Sequence, residues 1–137
     1  MVKDRYIYPA IFDYAEDGIS IEFPDLPGCL TCGDTEEEAL RMAKEAMALH
    51  LYGLEQDGDT IPEPTKVKYI TVEDNQAVVL IDAWMPPFRH EMENKAVKKT
   101  LTIPKWLDDL AQENNVNFSH ILQDALKKYL GVKDKLS

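Results

Sequence analysis

The C-terminal fold is decided by residues 97–131, which read VKKTLTIPKWLDDLAQENNVNFSHILQDALKKYLG. Polar and apolar residues alternate from Lys98 to Ile103, which is the period of a β-strand. Pro104 follows at once and suits the first turn of a helix. The stretch therefore predicts a short strand that leads directly into helical segments.

Two helices are predicted after Pro104. Trp106, Leu107 and Leu110 give the first helix one apolar face, and Asn117 is a good N-cap for the second helix. Gly131 stands where a C-cap glycine belongs. The apolar positions of the second helix repeat at helical spacing and are Phe118, Ile121, Leu122, Ala125, Leu126, Tyr129 and Leu130.

One strand and two short helices cannot bury a core alone, and a single strand leaves both edges open. Two copies solve both problems if their strands pair antiparallel and their helices interlock. The resulting two-stranded ribbon fits the major groove of DNA. The strand–proline–helix–asparagine–helix pattern resembles the ribbon-helix-helix family of DNA-binding proteins.

The strand period divides the predicted roles. Lys98, Thr100 and Thr102 share the face that would meet base edges, where Lys can bond guanine and Thr can contact thymine. The other face turns into the dimer. The predicted dimer core comprises Leu101, Ile103, Trp106, Leu107, Leu110, Ile121, Leu122 and Ala125.

The ribbon-helix-helix resemblance also implies a phosphate contact at the start of the second helix. The backbone N–H groups of Asn117, Phe118 and Ser119 would make it, because a helix N-terminus attracts anions. The glycine that many relatives carry before this helix is absent here. A dimerisation hairpin that does not bind DNA is the alternative.

Charge is distributed unevenly along the chain. Residues 1–89 hold 7 Lys and Arg against 18 Asp and Glu, a net charge of −11, whereas residues 90–137 carry +1. This asymmetry suggests two parts with different partners. The acidic part should repel DNA and attract a basic surface.

The acidic part predicts an α+β domain in the order β-β-β-α-β. Asp17-Gly18 is a strong hairpin signal, and Thr35 with Glu38 forms a capping-box pattern at the start of a helix. The last strand is expected over 77–83, and an extra one over 69–72. We expect domains over residues 1–85 and 97–137, joined by a linker over 86–96.

Two further stretches carry a family resemblance. Residues 19–29 read ISIEFPDLPGC and residues 33–40 read GDTEEEAL, and together they resemble the HicB family of antitoxins. The resemblance implies a partial ribonuclease-H-like fold for the N-terminal domain. It also implies a small basic partner, the toxin HicA, which resembles a double-stranded-RNA-binding domain and cleaves mRNA.

The resemblance and the charge agree on a function. The expected protein is an antitoxin that occludes a HicA-like toxin and represses its own operon, as a homodimer or a higher oligomer. Candidate toxin-binding acids are Glu16, Asp17, Glu22 and Asp25, although such acids commonly serve only solubility. The alternative is a repressor whose N-terminal domain senses a ligand or another protein.

An enzymatic function is not expected. Ribonuclease-H chemistry needs several carboxylates that converge on metal ions. The available acids are Asp13, Glu22, Asp25 and Asp82, but no spacing forces them together. We therefore expect no catalytic residue, metal or cofactor.

The two cysteines are not expected to bind a metal. Cys29 and Cys32 lack the second pair of ligands that a zinc site needs, so we expect both to be buried small side chains.

No apolar run is long enough to span a membrane, and the N-terminus lacks signal-peptide features. The sequence therefore predicts a cytoplasmic address and no membrane partner.

Overall fold

The computed structural model describes residues 3–133, and the chain divides into two units, residues 1–94 and 95–137. The first unit holds one antiparallel sheet in the strand order β3-β2-β1-β4. Its elements are β1 (Arg5–Ala15), β2 (Gly18–Glu22), β3 (Leu30–Gly33), α1 (Glu36–Asp57), β4 (Gln76–Trp84) and α2 (Met85–Glu93). The predicted mixed α+β class and the order β-β-β-α-β are confirmed.

The β1–β2 hairpin forms where the sequence predicts it. Ala15 pairs with Gly18, so only Glu16 and Asp17 form the loop. Gly18 has φ 144°, a backbone conformation that residues other than glycine rarely adopt. The tight loop fixes the register, which continues to Ile11 opposite Glu22.

The core lies between the sheet and one face of α1. Alternate residues of β1 from Tyr6 to Phe12 are buried, and they face a stripe of α1 that includes Ala39, Ala43 and Met47. Gly33 makes the close approach possible, because a Cβ at this position would lie 2.6 Å from the Ala39 nitrogen.

The predicted cap of α1 is present, with one difference in its partner. The Glu38 N–H donates to Thr35 Oγ1 at 3.1 Å. The Glu38 carboxylate, however, accepts from the Asp34 N–H at 3.2 Å rather than from Thr35. The cap therefore also holds the turn that joins β3 to α1.

The predicted strand over residues 69–72 is wrong. Val67–Tyr69 forms a 3-10 turn instead, and residues 70–73 belong to no strand or helix. The N–H groups of Tyr69 and Ile70 donate to the carbonyls of Lys66 and Val67, each at 3.0 Å. These local bonds replace the ladder that a strand would need.

The predicted linker over residues 86–96 is wrong for most of its length, because α2 covers Met85–Glu93. Pro86 and Pro87 occupy its first turn, where a helix needs no N–H donor. Met85 is fully buried, and the ring of Phe88 meets Tyr52 edge to face at 6.0 Å. These contacts bind α2 to the first unit.

Arg89 fastens α2 to α1 and to the chain's start. Its Nε and Nη2 donate to the two carboxylate oxygens of Glu55, at 2.9 and 2.8 Å. Its Nη1 donates to Asp4 at 2.8 Å. The hydrogen bonds to Glu55 are the main reason that the pKa of Arg89 is raised. The Glu55 side chain is only 7% exposed, so the ion pair between Arg89 and Glu55 is partly shielded from water.

The second unit contains α3 (Lys105–Glu113) and α4 (Phe118–Leu130). Asn117 caps α4 as predicted, accepting from the His120 N–H at 3.0 Å, and Gly131 ends it with φ 67°. Asn115, between the two helices, adopts φ 53°, a left-handed conformation that asparagine tolerates better than most residues.

The predicted strand over residues 98–103 is not formed in the single chain. Residues 95–104 belong to no strand or helix, and Pro104 occupies the N-cap position of α3. A strand requires a hydrogen-bonded neighbour, which a second copy would supply in the predicted dimer.

Replacing Arg89 should destabilise the first unit. Arg89→Met leaves the Glu55 carboxylate buried without its cation, which we expect to cost roughly 3 kcal/mol of unfolding free energy. Arg41→Met is the matched control, because Arg41 and Glu45 form an exposed ion pair at 3.7 Å. The control should lose less than about 1 kcal/mol. Urea denaturation followed by circular dichroism measures both, and equal losses would contradict this role of Arg89.

Candidate functional site

The sheet of the first unit has a second face, opposite the buried side chains of β1. Strand alternation and the pairing register determine its members. We call it the open face. It consists of Arg5, Ile7, Pro9, Ile11 and Asp13 of β1, Ser20 and Glu22 of β2, Leu30 and Cys32 of β3, and Gln76, Val78, Leu80, Asp82 and Trp84 of β4.

The open face exposes large apolar side chains. Leu30 is 68% exposed, Leu80 59%, Trp84 52% and Ile7 49%. Pro9, at the centre of the face, is itself buried. Several large exposed apolar side chains on one face of a sheet are typical of an interaction site.

Two carboxylates lie within this apolar surface. Glu22 is paired in register with Ile11 on one side and with Leu30 on the other. A groove of about 390 Å³ is lined by both Glu22 and Asp13. Asp13 accepts hydrogen bonds from the side-chain amides of Asn75 at 2.8 Å and Gln76 at 3.0 Å. These neutral donors orient the carboxylate but do not neutralise its negative charge. Among residues 3–133, neither carboxylate forms an ion pair with a basic side chain.

At the end of the open face that contains Arg5, Asp82 and Trp84, positive charges balance the negative charge. Arg5 donates to Asp82 at 2.6 Å, and its guanidinium lies 5.2 Å from the centre of the Trp84 ring. Lys44 of α1 lies 3.5 Å from Asp82. The unbalanced negative charge of the face is therefore at the Glu22 end.

The structure separates the four acids that the sequence suggested for toxin binding. Glu16 and Asp17 are exposed in the hairpin loop, and Glu22 projects from the open face. Asp25 instead accepts from both the N–H and the hydroxyl of Thr65, at 2.9 and 2.6 Å. This carboxylate ties two loops together, a structural role that no local sequence signal predicts.

A nuclease centre would need Asp13, Glu22, Asp25 and Asp82 to converge. Asp13 and Glu22 share a groove, but Asp25 is bonded to Thr65 and Asp82 to Arg5. Within the described part of the chain, no group of three or more His, Cys, Asp or Glu side chains could hold a metal ion.

The two cysteines lie in different environments. Cys29 is buried as predicted, and burial raises the pKa of its thiol to about 11. The prediction that Cys32 is also buried is wrong, because Cys32 is exposed on the open face. Cys32 lies in β3 on the face opposite the core, whereas Cys29 lies just before this strand and packs in the core.

The second unit presents an apolar surface without a core. None of its described residues is buried, although α3 and α4 each carry a regular apolar face. Of the eight residues predicted to form a dimer core, only Leu122 is half-buried. The exposed ones are Leu101, Ile103, Trp106, Leu107, Leu110, Ile121 and Ala125.

The residues predicted to contact DNA are accessible in the single chain. Lys98, Thr100 and Thr102 are exposed ahead of α3, and Phe118 and Ser119 form the first turn of α4. The side chain of Asn117 accepts from the His120 N–H, whereas the N–H groups of Phe118 and Ser119 have no acceptor within the helix, as at any helix start. Free N–H groups at a helix N-terminus attract anions, and the phosphate contact at this turn stays a prediction.

The structural boundary sharpens the charge division. Residues 1–94 hold 7 Lys and Arg against 20 Asp and Glu, a net charge of −13, and residues 95–137 hold 8 against 5, a net charge of +3. Of the helices that residues 3–133 form, none combines the length and apolar character that a membrane crossing requires.

Residues 8–126 match the family model described as HicB-like antitoxin of bacterial toxin–antitoxin systems. The chain is 30% identical over 101 residues to an uncharacterised 14.9 kDa protein of Haemophilus phage HP1, covering 74% of this chain and 75% of that one. It is 43% identical over 58 residues to antitoxin HicB 2 of Photorhabdus laumondii, which is 42% of either chain.

Two solved structures are similar along most of the chain. One is a toxin–antitoxin complex from Streptococcus pneumoniae, with TM-score 0.60 and 26% identity over 91% of this chain and 99% of that one. The other is the antitoxin HicB of Burkholderia pseudomallei, with TM-score 0.52 and 18% identity over 91% and 98%. The latter likeness concerns the fold alone.

The two thiols should react at very different rates. At pH 8 we expect a thiol reagent such as DTNB to modify Cys32 rapidly and Cys29 only after unfolding, because the Cys29 pKa of about 11 leaves little thiolate. Cys32→Ser should abolish the fast phase, and Cys29→Ser should leave it unchanged. A fast phase that survives in Cys32→Ser would contradict the burial of Cys29.

Proposed function

The chain belongs to the family of HicB-like antitoxins of bacterial toxin–antitoxin systems, and we propose that it neutralises a HicA-like, mRNA-cleaving toxin and represses its own operon. In this proposal the first unit covers the toxin's RNA-binding surface. The second unit forms the dimer that binds operator DNA. Neither role requires the chain itself to catalyse a reaction.

The observation that carries the toxin role is the charge of the first unit. A net charge of −13 on residues 1–94 complements a protein that must bind RNA phosphates. Such complementarity steers association and would place acidic side chains where the toxin's RNA lies. The similar Streptococcus pneumoniae structure, which is a toxin–antitoxin complex, supports the same class of partner.

The operator role rests on the uncovered apolar faces of the second unit. Burial of apolar surface contributes about 25 cal/mol per Å², so side chains such as Leu110 and Ile121 favour a second copy strongly. Pairing of residues 98–103 between two copies would then complete a ribbon-helix-helix dimer and present Lys98, Thr100 and Thr102 to the major groove.

Charge also shapes how such a dimer would bind DNA. The second unit carries only +3, and each copy is joined to a unit at −13. One dimer should therefore bind DNA weakly and with strong salt dependence. Two ribbons side by side, or a bound basic toxin that offsets the acidic unit, would strengthen repression.

A ligand-sensing repressor, the alternative from sequence, needs an apolar pocket in the first unit. The described residues form a groove of about 500 Å³ between β1 and residues 59–64. Its lining mixes the charged side chains of Lys3, Arg5, Asp59 and Glu63 with Tyr6, Ile7, Tyr8, Ile61, Pro62 and Pro64, so it is not the predominantly apolar pocket typical of ligand sites. The groove therefore does not favour this alternative over the antitoxin.

The full-length protein should inhibit mRNA cleavage by the toxin that is encoded beside it. We expect cleavage of a reporter mRNA to stop at a stoichiometric ratio of antitoxin to toxin, because occlusion is not catalytic. Association should slow as salt is raised from 50 to 500 mM, roughly the range over which charges become screened. Undiminished cleavage with excess antitoxin would contradict the toxin role.

The substitutions Lys98→Ala, Thr100→Ala and Thr102→Ala, made together, should abolish specific operator binding. The dimer should survive, because these side chains lie on the face away from the predicted dimer core. Gel-shift titration on the DNA upstream of the operon measures the first property, and sedimentation measures the second. Lys128→Ala, in the last turn of α4, is the control and should retain specific binding. Wild-type affinity in the triple variant would reject the ribbon assignment.

A further inference from the structure

We infer that the open face of the sheet is the toxin's docking surface, and that a Lys or Arg of the toxin enters the groove between Glu22 and Asp13. This inference rests on the proposed toxin binding and adds its location. It selects one surface of an acidic unit whose charge alone would fit a basic partner almost anywhere.

The first step is the apolar character of the open face. The exposed side chains of Leu30, Leu80, Trp84 and Ile7 come from three strands, so a flat or gently curved partner surface can contact them together. A few well-packed side chains near the centre of an interface contribute most of its binding free energy, and Trp is enriched among them. The sheet also holds these side chains on a rigid scaffold, which lowers the entropy cost of binding.

The second step is the setting of Glu22. Its register neighbours Ile11 and Leu30 flank it on both sides. A toxin Lys or Arg could place its aliphatic stem against them and its charge on the carboxylate. The apolar flanks would exclude water once the toxin is bound, which strengthens the charge-assisted hydrogen bonds.

The third step is the orientation of Asp13. Hydrogen bonds from the side chains of Asn75 and Gln76 hold its carboxylate without cancelling its charge. Asp13 lines the same groove as Glu22. Two carboxylates, one of them already oriented, favour a cation with several donors, such as a guanidinium.

Several other acids of the first unit already have basic partners. Asp82 is paired with Arg5, Glu55 with Arg89, and Glu45 with Arg41. Glu22 and Asp13 have no basic partner within the described residues, so binding a cation there breaks no existing ion pair.

Charge argues against a second copy of the chain on this face. Two first units would each bring −13, and their Glu22 side chains would enter one interface. Charged residues are depleted from the buried centre of interfaces unless an opposite charge meets them. A basic protein satisfies this condition, and a second copy does not.

The test uses the full-length chain and a catalytically inert form of the toxin from the adjacent reading frame, with affinity measured by calorimetry. Glu22→Gln should weaken binding about 30-fold, and Leu30→Ala about tenfold, as expected for side chains at an interface centre. Glu37→Gln, in the first turn of α1, changes the net charge equally and should stay within about twofold. Circular dichroism of each variant checks that the fold is intact.

A second measurement needs no substitution at the face. Cys32 lies on the open face, so saturating toxin should slow its modification by DTNB at least about tenfold. Unchanged Cys32 reactivity in the complex would overturn the inference even if Glu22→Gln misfolded.

The other outcomes separate the inference from the proposed function. If wild-type protein does not bind the toxin, the proposed function fails. If it binds and only Glu16→Gln with Asp17→Asn weakens binding, docking is at the hairpin loop and the open face is rejected. If the free protein loses an oligomeric contact on Leu30→Ala or Glu22→Gln, a second copy occupies the face and the inference is also rejected.

Discussion

The packing of α1 on a single face of the sheet is the constraint on which the first unit depends. A stripe of small residues, including Ala39 and Ala43, allows the helix to approach, and Gly33 removes the side chain that would collide with its first turn. One helix of this kind can cover only one face of four strands. The core is therefore complete on one side, while Leu30 and Leu80 on the other remain in water. The property that stabilises the fold also creates the surface that we propose for the toxin.

The second unit meets the same constraint in a more severe form. Its helices have correct caps at Asn117 and Gly131, so their local geometry is satisfied without a partner. Their apolar faces are not, since no described residue of this unit is buried. Caps contribute about 1 kcal/mol each, whereas a core contributes far more. The proposed dimer would supply that core, and it would give residues 98–103 the neighbouring strand that a single chain lacks.

The division of charge connects the two proposed roles. An acidic unit at −13 would oppose the proposed DNA binding by the unit at +3 to which it is joined. A basic toxin bound to the acidic unit would reduce this opposition. Neutralisation and repression would then respond to the same quantity, the fraction of antitoxin that carries toxin. Linkage of this kind requires no conformational change, because screening of charge alone alters the affinity for DNA.

Sequence by itself determined the features that depend on neighbouring residues. Side chains that act on the backbone within a few positions account for the hairpin at Asp17-Gly18, for the caps at Thr35 and Asn117, and for helices α3 and α4. The stretches at residues 19–29 and 33–40 likewise indicated the HicB family, and the family match of residues 8–126 confirms it. Tertiary structure alone decided the features that depend on distant residues. Arg89 turns an expected linker into part of a packed helix, Asp25 is bonded to Thr65, and Cys32 falls on the outer side of the sheet. The physical reason is that burial and long-range bonds depend on which strands become neighbours, and local propensities do not specify that choice.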